Sequence, residues 1–372
     1  MTALAVDSTV NRLRDQVRDA AERRVALRIR GGGTWMDAGR PVAHDDTLST
    51  AELSGIISYV PGDLTMTMRG GTTLAEIRDA AAKHKQWLAL DPHGVDEGTI
   101  GASAVTASAG PLATFFGTPR DLVLGVEFVT GSGAVARGGG RVVKNVAGFD
   151  LTRLIIGSWG TIGLVTEITV RLHARPEVDR SFAIAIDDRS VGRVRTLLRR
   201  LPFKPYACEI VNAPLSSTLL GKDAPTVLLR LAGNAEGVEA QRQAFSELGA
   251  SSEIASDVWT KLRASEPRGA SVVRLSDLPS EIERTWRAAN VPGALVHASP
   301  ARGIARTITS DSTPFAALKS ATGSSGATCL AERLPADQWR AFAPPDSDLN
   351  TRVKQTFDPS NILNPGILGE SA

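Results

Sequence analysis

The sequence has little of several features that mark particular classes of protein. Its 372 residues include two cysteines, Cys208 and Cys329, which stand far apart and have no CxxC partner. This excludes an iron–sulfur cluster or a structural zinc site built by this chain alone, and it fits a reducing compartment. The 42 basic and 40 acidic side chains nearly balance. No surplus of positive charge therefore argues for nucleic acid or an anionic membrane as a partner.

Long apolar runs are missing as well. No stretch reaches about 18 uninterrupted apolar residues, so no membrane span is expected, and the first residues, MTALAVD, do not predict a signal peptide. The histidines form no metal-spaced cluster; they are His44, His84, His93, His173 and His297. We therefore predict a cytoplasmic protein without a metal site, or one that is peripheral to a membrane through partners.

Glycine, in contrast, is abundant and lies in loops beside predicted strands. Residues 24–29 alternate as a short strand and lead into Gly31-Gly32-Gly33-Thr34-Trp35. Consecutive glycines expose neighbouring backbone N–H groups, which suit an anion such as a phosphate. Surface loops also use three glycines, so this loop alone leaves both interpretations open.

Two further glycine loops follow in the first 175 residues. Residues 98–103 open a run of small side chains, and the glycines of residues 157–163 are spaced by three between a helix over 151–156 and a strand over 164–172. Tight helix packing and an ordinary turn are the alternatives for each loop alone. Three loops in one α+β lobe are more specific, and their spacing is not the single GxGxxG of a βαβ dinucleotide fold.

After Pro176 the pattern changes to strands and helices in the order of a split βαβ lobe with an antiparallel sheet. Residues 236–248 and a helix begun at Pro279 are predicted to be helical, and residues 321–325 to be a loop. The chain ends in a turn-rich motif, FDPSNILNPG, at residues 357–366. At 42% hydrophobic content the chain can bury a large core in two or more lobes.

These segments resemble a known family. The loops RGGGTW, GTIGAS and GFDLTRLIIGSWGTIGLVTEITVRL resemble the FAD-binding domain of the vanillyl-alcohol oxidase/PCMH flavoproteins, and the tail is similar to that of the family's hydroxy-acid dehydrogenases. VPGDLTMTMRGGTTLAEI and FFGTPRDLVLGVEFVTGSG resemble the branch of the glycolate oxidase E subunit. The resemblance implies an α+β fold, with a two-subdomain PCMH-type FAD-binding domain over 1–175, a smaller α+β cap-like domain over 176–340 and a C-terminal segment over 341–372 that returns to the FAD domain.

The resemblance also implies a function. The chain is expected to be the FAD-binding subunit of a glycolate, or 2-hydroxy acid, dehydrogenase complex that oxidises glycolate to glyoxylate. Its expected partners are a second flavoprotein subunit and an iron–sulfur subunit. No histidine follows the first glycine loop, so the FAD is expected to be non-covalent. The alternatives are a structural assembly subunit with weak or no FAD, and a stand-alone FAD-dependent oxidoreductase for another hydroxy acid or alcohol.

The residues that the resemblance assigns to the cofactor fall into four groups. Gly31, Gly32, Gly33, Thr34 and Trp35 would wrap the pyrophosphate; Pro92, Thr99, Ile100, Gly101 and Ser103 would form a second wall; Gly157, Gly160, Thr161, Gly163 and Val165 would run along the flavin and adenine; Lys144 and Gly148 would approach the isoalloxazine edge.

Several other residues carry open alternatives. The resemblance also places Asp150 near the isoalloxazine edge, and its alternative role, which the local sequence favours, is the N-cap of the helix that begins at Leu151. The family's usual Gly-Gly pair is Gly101-Ala102 here, and a frequent asparagine is Ala107, so both changes weaken the expectation of bound FAD. His93 is the histidine to test as a base, with a structural or adenine-side role as the alternative. Arg302 and Arg306 are candidates for binding a substrate carboxylate, although solvation at the surface explains them equally well.

Overall fold

The computed structural model of the protein describes residues 8–140, 149–310, 326–339 and 348–369. They form two compact units. The first unit contains the described parts of Met1–Ala109, Thr118–Arg175 and Ala343–Ala372, and the second contains Gly110–Gly117 and the described parts of Pro176–Phe342. The short segment Gly110–Gly117 therefore packs with the second unit although the sequence on both sides of it belongs to the first.

The helices are α1 (Ser8–Arg23), α2 (Leu74–Ala82), α3 (Ile100–Val105), α4 (Ala113–Phe116), α5 (Pro119–Leu122), α6 (Leu151–Ile155), α7 (Val191–Arg200), α8 (Ala213–Leu220), α9 (Ala235–Ala244), α10 (Val258–Arg263), α11 (Ile282–Ala289) and α12 (Asp348–Phe357). The strands are β1 (Leu27–Arg30), β2 (Asp46–Ser49), β3 (Ile56–Val60), β4 (Thr65–Arg69), β5 (Gln86–Trp87), β6 (Val123–Val129), β7 (Val135–Gly139), β8 (Leu164–Arg171), β9 (His173–Ala174), β10 (Val178–Ala185), β11 (Ala207–Val211), β12 (Thr226–Gly233), β13 (Ser251–Ile254), β14 (Ser271–Ser276), β15 (Leu295–Ser299), β16 (Ile304–Thr309) and β17 (Thr328–Arg333).

The first unit is built on an antiparallel five-stranded sheet in the order β3-β4-β8-β6-β7. Alternate residues of these strands point into one core, where Met66, Met68, Phe128 and Ile168 are fully buried. Helices α2 and α3 add Ile77 and other apolar side chains to the same core. Helix α2 begins at a capping box, in which Thr73 and Glu76 satisfy each other's backbone N–H groups.

A second, smaller layer of this unit contains α1 and the parallel pair β1-β2. The buried face of α1 carries Val10, Leu13 and Val17 at helical spacing, as the sequence predicts. The C-terminal segment packs against this layer: Leu27 of β1 forms a parallel bridge with Leu363, and Ile362 joins the same apolar cluster. The chain end therefore completes the layer that begins with the first strand.

The second unit is an eight-stranded sheet in the order β13-β10-β12-β11-β15-β16-β14-β17, in which every described pairing is antiparallel. Helices α7, α9 and α11 cover one face, and Trp286 and Phe245 are buried between helices and sheet. Cys208 of β11 also lies in this core, where burial and, after it, the charge of Glu209 raise the pKa of its thiol.

The α+β fold predicted from the sequence is confirmed, including the return of the C-terminal segment to the first unit. Several elements differ from the prediction. The sequence predicts one strand region over residues 55–69, but the structure has two strands, β3 and β4, because the turn at Pro61–Asp63 and the positive φ of 54° at Leu64 interrupt it. Helix α8 had no counterpart in the prediction, and the predicted loop over 321–325 lies outside the described residues. No described helix is long and apolar enough to cross a membrane.

Candidate functional site

The first glycine loop directly follows β1 and keeps its backbone donors free. Among the described residues, no protein acceptor receives the N–H groups of Gly31, Gly32, Gly33 or Thr34. Gly33 has a φ of 77°, a conformation that side chains disfavour. A Cβ on Gly32 would come within 2.8 Å of the carbonyl oxygen of Glu97, which is backbone and cannot rotate away. The loop therefore needs glycine for steric reasons, and its backbone N–H groups are available to a bound anion.

The second glycine loop becomes the start of α3. Thr99 caps this helix by accepting a hydrogen bond from the N–H of Ala102. Gly101 donates its N–H to the carbonyl oxygen of Gly70 at 2.9 Å, and a Cβ on Gly101 would lie 2.6 Å from that same oxygen. Gly70 is in turn packed against the carbonyl oxygen of Val165 in β8. Three backbones meet here at distances that only glycine permits.

The third loop crosses beside α3 and brings two indole rings together. Gly157 and Trp159 donate their N–H groups to Ala104 and Val105 at the end of α3. Trp159 has a φ of 53°, and its ring stacks on that of Trp35 with 6.1 Å between the centroids. The first and third loops are therefore joined through this aromatic pair.

Asn364 of the C-terminal motif ties these elements together. Its side-chain oxygen accepts the N–H of Ile29 in β1 at 2.9 Å, and its side-chain nitrogen donates to the carbonyl oxygen of Trp159 at 2.8 Å. Asp358 holds the motif in shape by accepting the N–H groups of Ile362 and Leu363. Asn364 thus fixes the position of β1 relative to the third glycine loop.

These loops surround one pocket of the first unit, which encloses about 970 Å³ of free space including its mouth. The pocket wall includes most of the residues that the sequence assigned to a cofactor: Gly31, Gly32, Gly33, Thr34, Trp35, Pro92, Thr99, Gly101, Ser103, Gly160, Gly163 and Val165.

Other predicted residues do not reach the pocket. Ile100 points into the apolar core and is fully buried. The hydroxyl of Thr161 donates to the carbonyl oxygen of Ser158, and Gly157 takes a positive φ of 83°, which turns the chain. Lys144 and Gly148 lie outside the described residues. Asp150 caps α6 by accepting the N–H of Arg153, which is the role that the local sequence favoured.

Sequence reasoning missed several residues of the wall, notably Arg28, Thr50, Ser108, Trp159 and Asn364. Arg28 and Asn364 are single polar residues within a strand and a turn, and no local pattern marks them. Trp159 sits inside the third glycine motif, and its position between glycines was the available signal. His93, the histidine proposed as a base, does line the pocket, and its backbone N–H donates to the hydroxyl of Ser108 at 3.1 Å.

The proposal that Arg306 could receive a substrate carboxylate is wrong for this structure. Arg306 is 4% exposed and lies between Glu332, at 2.5 Å, and Glu266. Burial opposes its charge, but these two carboxylates outweigh burial and raise the pKa of Arg306. The guanidinium is therefore already neutralised by its own unit. Arg302 donates to the carbonyl oxygen of Gly110 at 3.3 Å.

A second buried pair lies in the same sheet, where Nδ1 of His297 and Oε2 of Glu209 are 2.9 Å apart. No group of three or more histidine, cysteine, aspartate or glutamate side chains in the described part of the chain is arranged to hold a metal ion. The wall of the first unit's pocket offers backbone donors, hydroxyls and indole rings, together with the side chains of Arg28 and His93.

Comparison with known proteins identifies the family of this chain. A family model described as an FAD binding domain matches residues 2–139. The glycolate oxidase subunit GlcE of Escherichia coli is 31% identical over 373 residues, which cover 95% of both chains. A D-lactate dehydrogenase of Archaeoglobus fulgidus is 26% identical over 395 residues, covering 93% of this chain and 86% of the relative.

Solved structures agree on the fold. The 4-ethylphenol oxidase of Gulosibacter chungangensis superposes with a TM-score of 0.71 at 15% identity, covering 97% of this chain and 87% of that one. At this identity the likeness speaks for the fold alone. Since the similarity to the E subunit spans nearly the whole of both chains, this protein belongs to the PCMH-type FAD-binding flavoproteins, as an FAD-dependent oxidoreductase of the hydroxy-acid dehydrogenase branch that includes the glycolate oxidase E subunit.

Proposed function

We propose that this chain is the FAD-binding subunit of a glycolate dehydrogenase complex and that it holds FAD non-covalently in the pocket of the first unit. The proposal is carried by the N–H groups at Gly31–Thr34, which have no acceptor among the described residues and lie on the wall of a pocket lined by three glycine loops. The similarity of the whole chain to a glycolate oxidase subunit supports glycolate as the substrate of the complex.

The donor set of the pocket fits FAD. The free N–H groups suit a diphosphate, and the glycines of the three loops allow a backbone to lie close to a large planar group. The Trp35–Trp159 pair adds aromatic surface to the wall. When bound, FAD supplies the hydride acceptor for oxidation of a hydroxy acid. Non-covalent binding is inferred because the loop that would touch the diphosphate contains no histidine.

Each group of residues has a proposed task. Residues 31–35 hold the diphosphate, and Pro92, Thr99, Gly101 and Ser103 form the opposite wall, with Ile100 anchoring α3 in the core. Gly160, Gly163 and Val165 form the third wall, and Gly157 and Thr161 hold the shape of the loop that leads into it. Lys144 and Gly148 keep their proposed place near the isoalloxazine edge.

The proposed partners are a second flavoprotein subunit and an iron–sulfur subunit. The chain also shares 34% identity over 162 residues with the glycolate oxidase subunit GlcD of Bacillus subtilis, which covers 34% of that relative. A complex of this kind would be cytoplasmic and would reach a membrane only through its partners. The presence of Ala102 and Ala107, where the family has glycine and asparagine, favours a second candidate: an assembly subunit with little FAD.

The test is flavin binding by the purified chain. Titration with FAD should produce a flavin absorbance that remains with the protein through gel filtration and is released on denaturation. Gly32→Ala should abolish this binding, because its Cβ would press on the Glu97 carbonyl oxygen and displace the loop. Gly62→Ala is the matched control, since nothing lies within 4 Å of the Cβ it would add.

A wild-type protein that stays colourless after incubation with FAD would contradict the proposal and leave the assembly subunit. Bound FAD that glycolate reduces only when co-purified partner chains are present would support the complex. Reduction by glycolate in the isolated chain would instead indicate a stand-alone oxidoreductase.

A further inference from the structure

Arg28 is a buried cation on the pocket wall whose bonding is incomplete. It lies on β1, two residues before the end of the strand, and is 7% exposed. Its Nη2 atom donates to the carbonyl oxygens of Met36 and Ala38 at 3.3 and 3.5 Å, both long for a hydrogen bond. Its Nη1 atom is buried and has no acceptor among the described residues.

No acidic side chain of the described residues balances this charge. Burial alone lowers the pKa of Arg28, without any contribution from a neighbouring carboxylate. Arg306 in the second unit shows the usual arrangement, in which a buried guanidinium is held by two carboxylates. A buried cation without an anion is costly, so Arg28 requires a partner that the described protein does not supply.

The position of Arg28 shows where that partner belongs. Arg28 borders the same pocket as Gly31–Thr34, the loop that follows β1. The N–H groups of this loop likewise have no acceptor in the part of the chain that the structure describes. A guanidinium and a run of backbone donors on one strand-to-loop connection make a site for an anion with several oxygen atoms. A planar guanidinium also matches a phosphate better than a lysine ammonium does.

We propose that the side chain of Arg28 binds the diphosphate of the dinucleotide and adds its positive charge to the backbone donors of the glycine loop. This inference rests on the proposed function. It assigns to a strand side chain a share of the recognition that the glycine loop otherwise performs through its backbone alone. Arg28 then selects for phosphorylated flavins, because riboflavin offers no group that would neutralise it.

The experiment compares FAD and riboflavin as ligands for wild type, Arg28→Gln and Arg28→Lys. Affinities are measured by the quenching of tryptophan fluorescence, to which Trp35 and Trp159 on the wall contribute. Arg28→Gln should weaken FAD binding roughly 10- to 100-fold, the range expected for a lost charge-assisted hydrogen bond. Riboflavin binding should change less than about twofold, and Arg28→Lys should give an intermediate affinity for FAD. Arg23→Gln, which removes an exposed arginine of α1, is the control and should behave as wild type.

Thermal unfolding without ligand separates recognition from a structural role. An arginine that merely braces the loop through Met36 and Ala38 would lower the melting temperature when replaced by glutamine. For an unneutralised cation, Arg28→Gln should leave the melting temperature unchanged or raise it, while the stabilisation by added FAD shrinks. If Arg28→Gln does not fold, the comparison of wild type with Arg28→Lys, and stabilisation of wild type by ADP but not by adenosine, carry the test.

Equal losses of FAD and riboflavin affinity in Arg28→Gln, or no loss of either, would overturn the role of Arg28 while leaving FAD binding by the wild type intact. Failure of wild type to bind FAD at all is a different result, and it would overturn the proposed function itself.

Discussion

At the scale of single residues, backbone conformation decides which side chains this pocket tolerates. Several residues other than glycine take a positive φ near the site, among them Ala107 at 52°, Trp159 at 53° and Asn364 at 42°. Asparagine accepts this conformation more readily than other side chains, whereas alanine gains nothing from it. The family resemblance places an asparagine at position 107, and the positive φ there gives a backbone reason for asparagine.

We therefore expect Ala107→Asn and Ala107→Gly to raise the free energy of unfolding by about 0.5–1 kcal/mol. Glycine and asparagine both adopt a positive φ with less strain than alanine does, so either substitution relieves the strain at this position. Urea denaturation of the purified variants measures the change.

Ala80→Gly provides the matched comparison, because Ala80 lies inside α2 with helical neighbours on both sides. The same alanine-to-glycine change should there destabilise the protein by about 1 kcal/mol. If Ala107→Gly destabilised the protein as much as Ala80→Gly, relief of backbone strain at residue 107 would be ruled out.

At the scale of elements, the sequence reveals the glycine loops but not the residues that connect them. Loops at residues 31–35, 98–103 and 157–163 were recognisable because glycine is required wherever backbones approach closely, and their local sequences carry that requirement. Asn364 bonds to Ile29 and Trp159, which are distant from it in sequence. Arg28 acts in a pocket that exists only after the chain has folded. Gly110–Gly117 likewise joins the second unit through packing, which no local pattern encodes.

The C-terminal motif gives the clearest test at this scale. Asn364→Gly keeps the positive φ accessible but removes the hydrogen bonds to Ile29 and Trp159. We expect a loss of about 1–3 kcal/mol in the free energy of unfolding, since these partly buried backbone groups lose their partner. FAD affinity should fall as well, because Asn364, Ile29 and Trp159 all line the pocket.

Asn361→Gly is the control within the same motif. Asn361 also has a positive φ, of 50°, and its side-chain oxygen is buried without an acceptor or donor partner among the described residues. This substitution should leave stability and FAD affinity nearly unchanged. Equal effects of both substitutions would mean that the motif acts through its backbone turns and not through the Asn364 side chain.

At the scale of the whole molecule, the two units have separate cores and separate chemistry. The first unit contains the pocket and the N–H groups of Gly31–Thr34, which lack an acceptor among the described residues. The buried charges of the second unit, such as Arg306 with Glu266 and Glu332, are paired internally. A ligand that binds only the first pocket should therefore stabilise one unit directly. Proteins with two cores commonly depart from two-state unfolding, so the two responses can be separated.

Differential scanning calorimetry should show two transitions, of which one moves to higher temperature as FAD is added. At a free concentration of about 100 times the dissociation constant, FAD should stabilise the first unit by roughly 2.7 kcal/mol. The other transition should remain in place, because the donors that FAD would use all belong to the first unit. Gly32→Ala, which blocks the loop, should remove the shift without merging the transitions. A single transition that moves as a whole would instead mean that the two units unfold together, so that FAD bound in the first unit stabilises both of them.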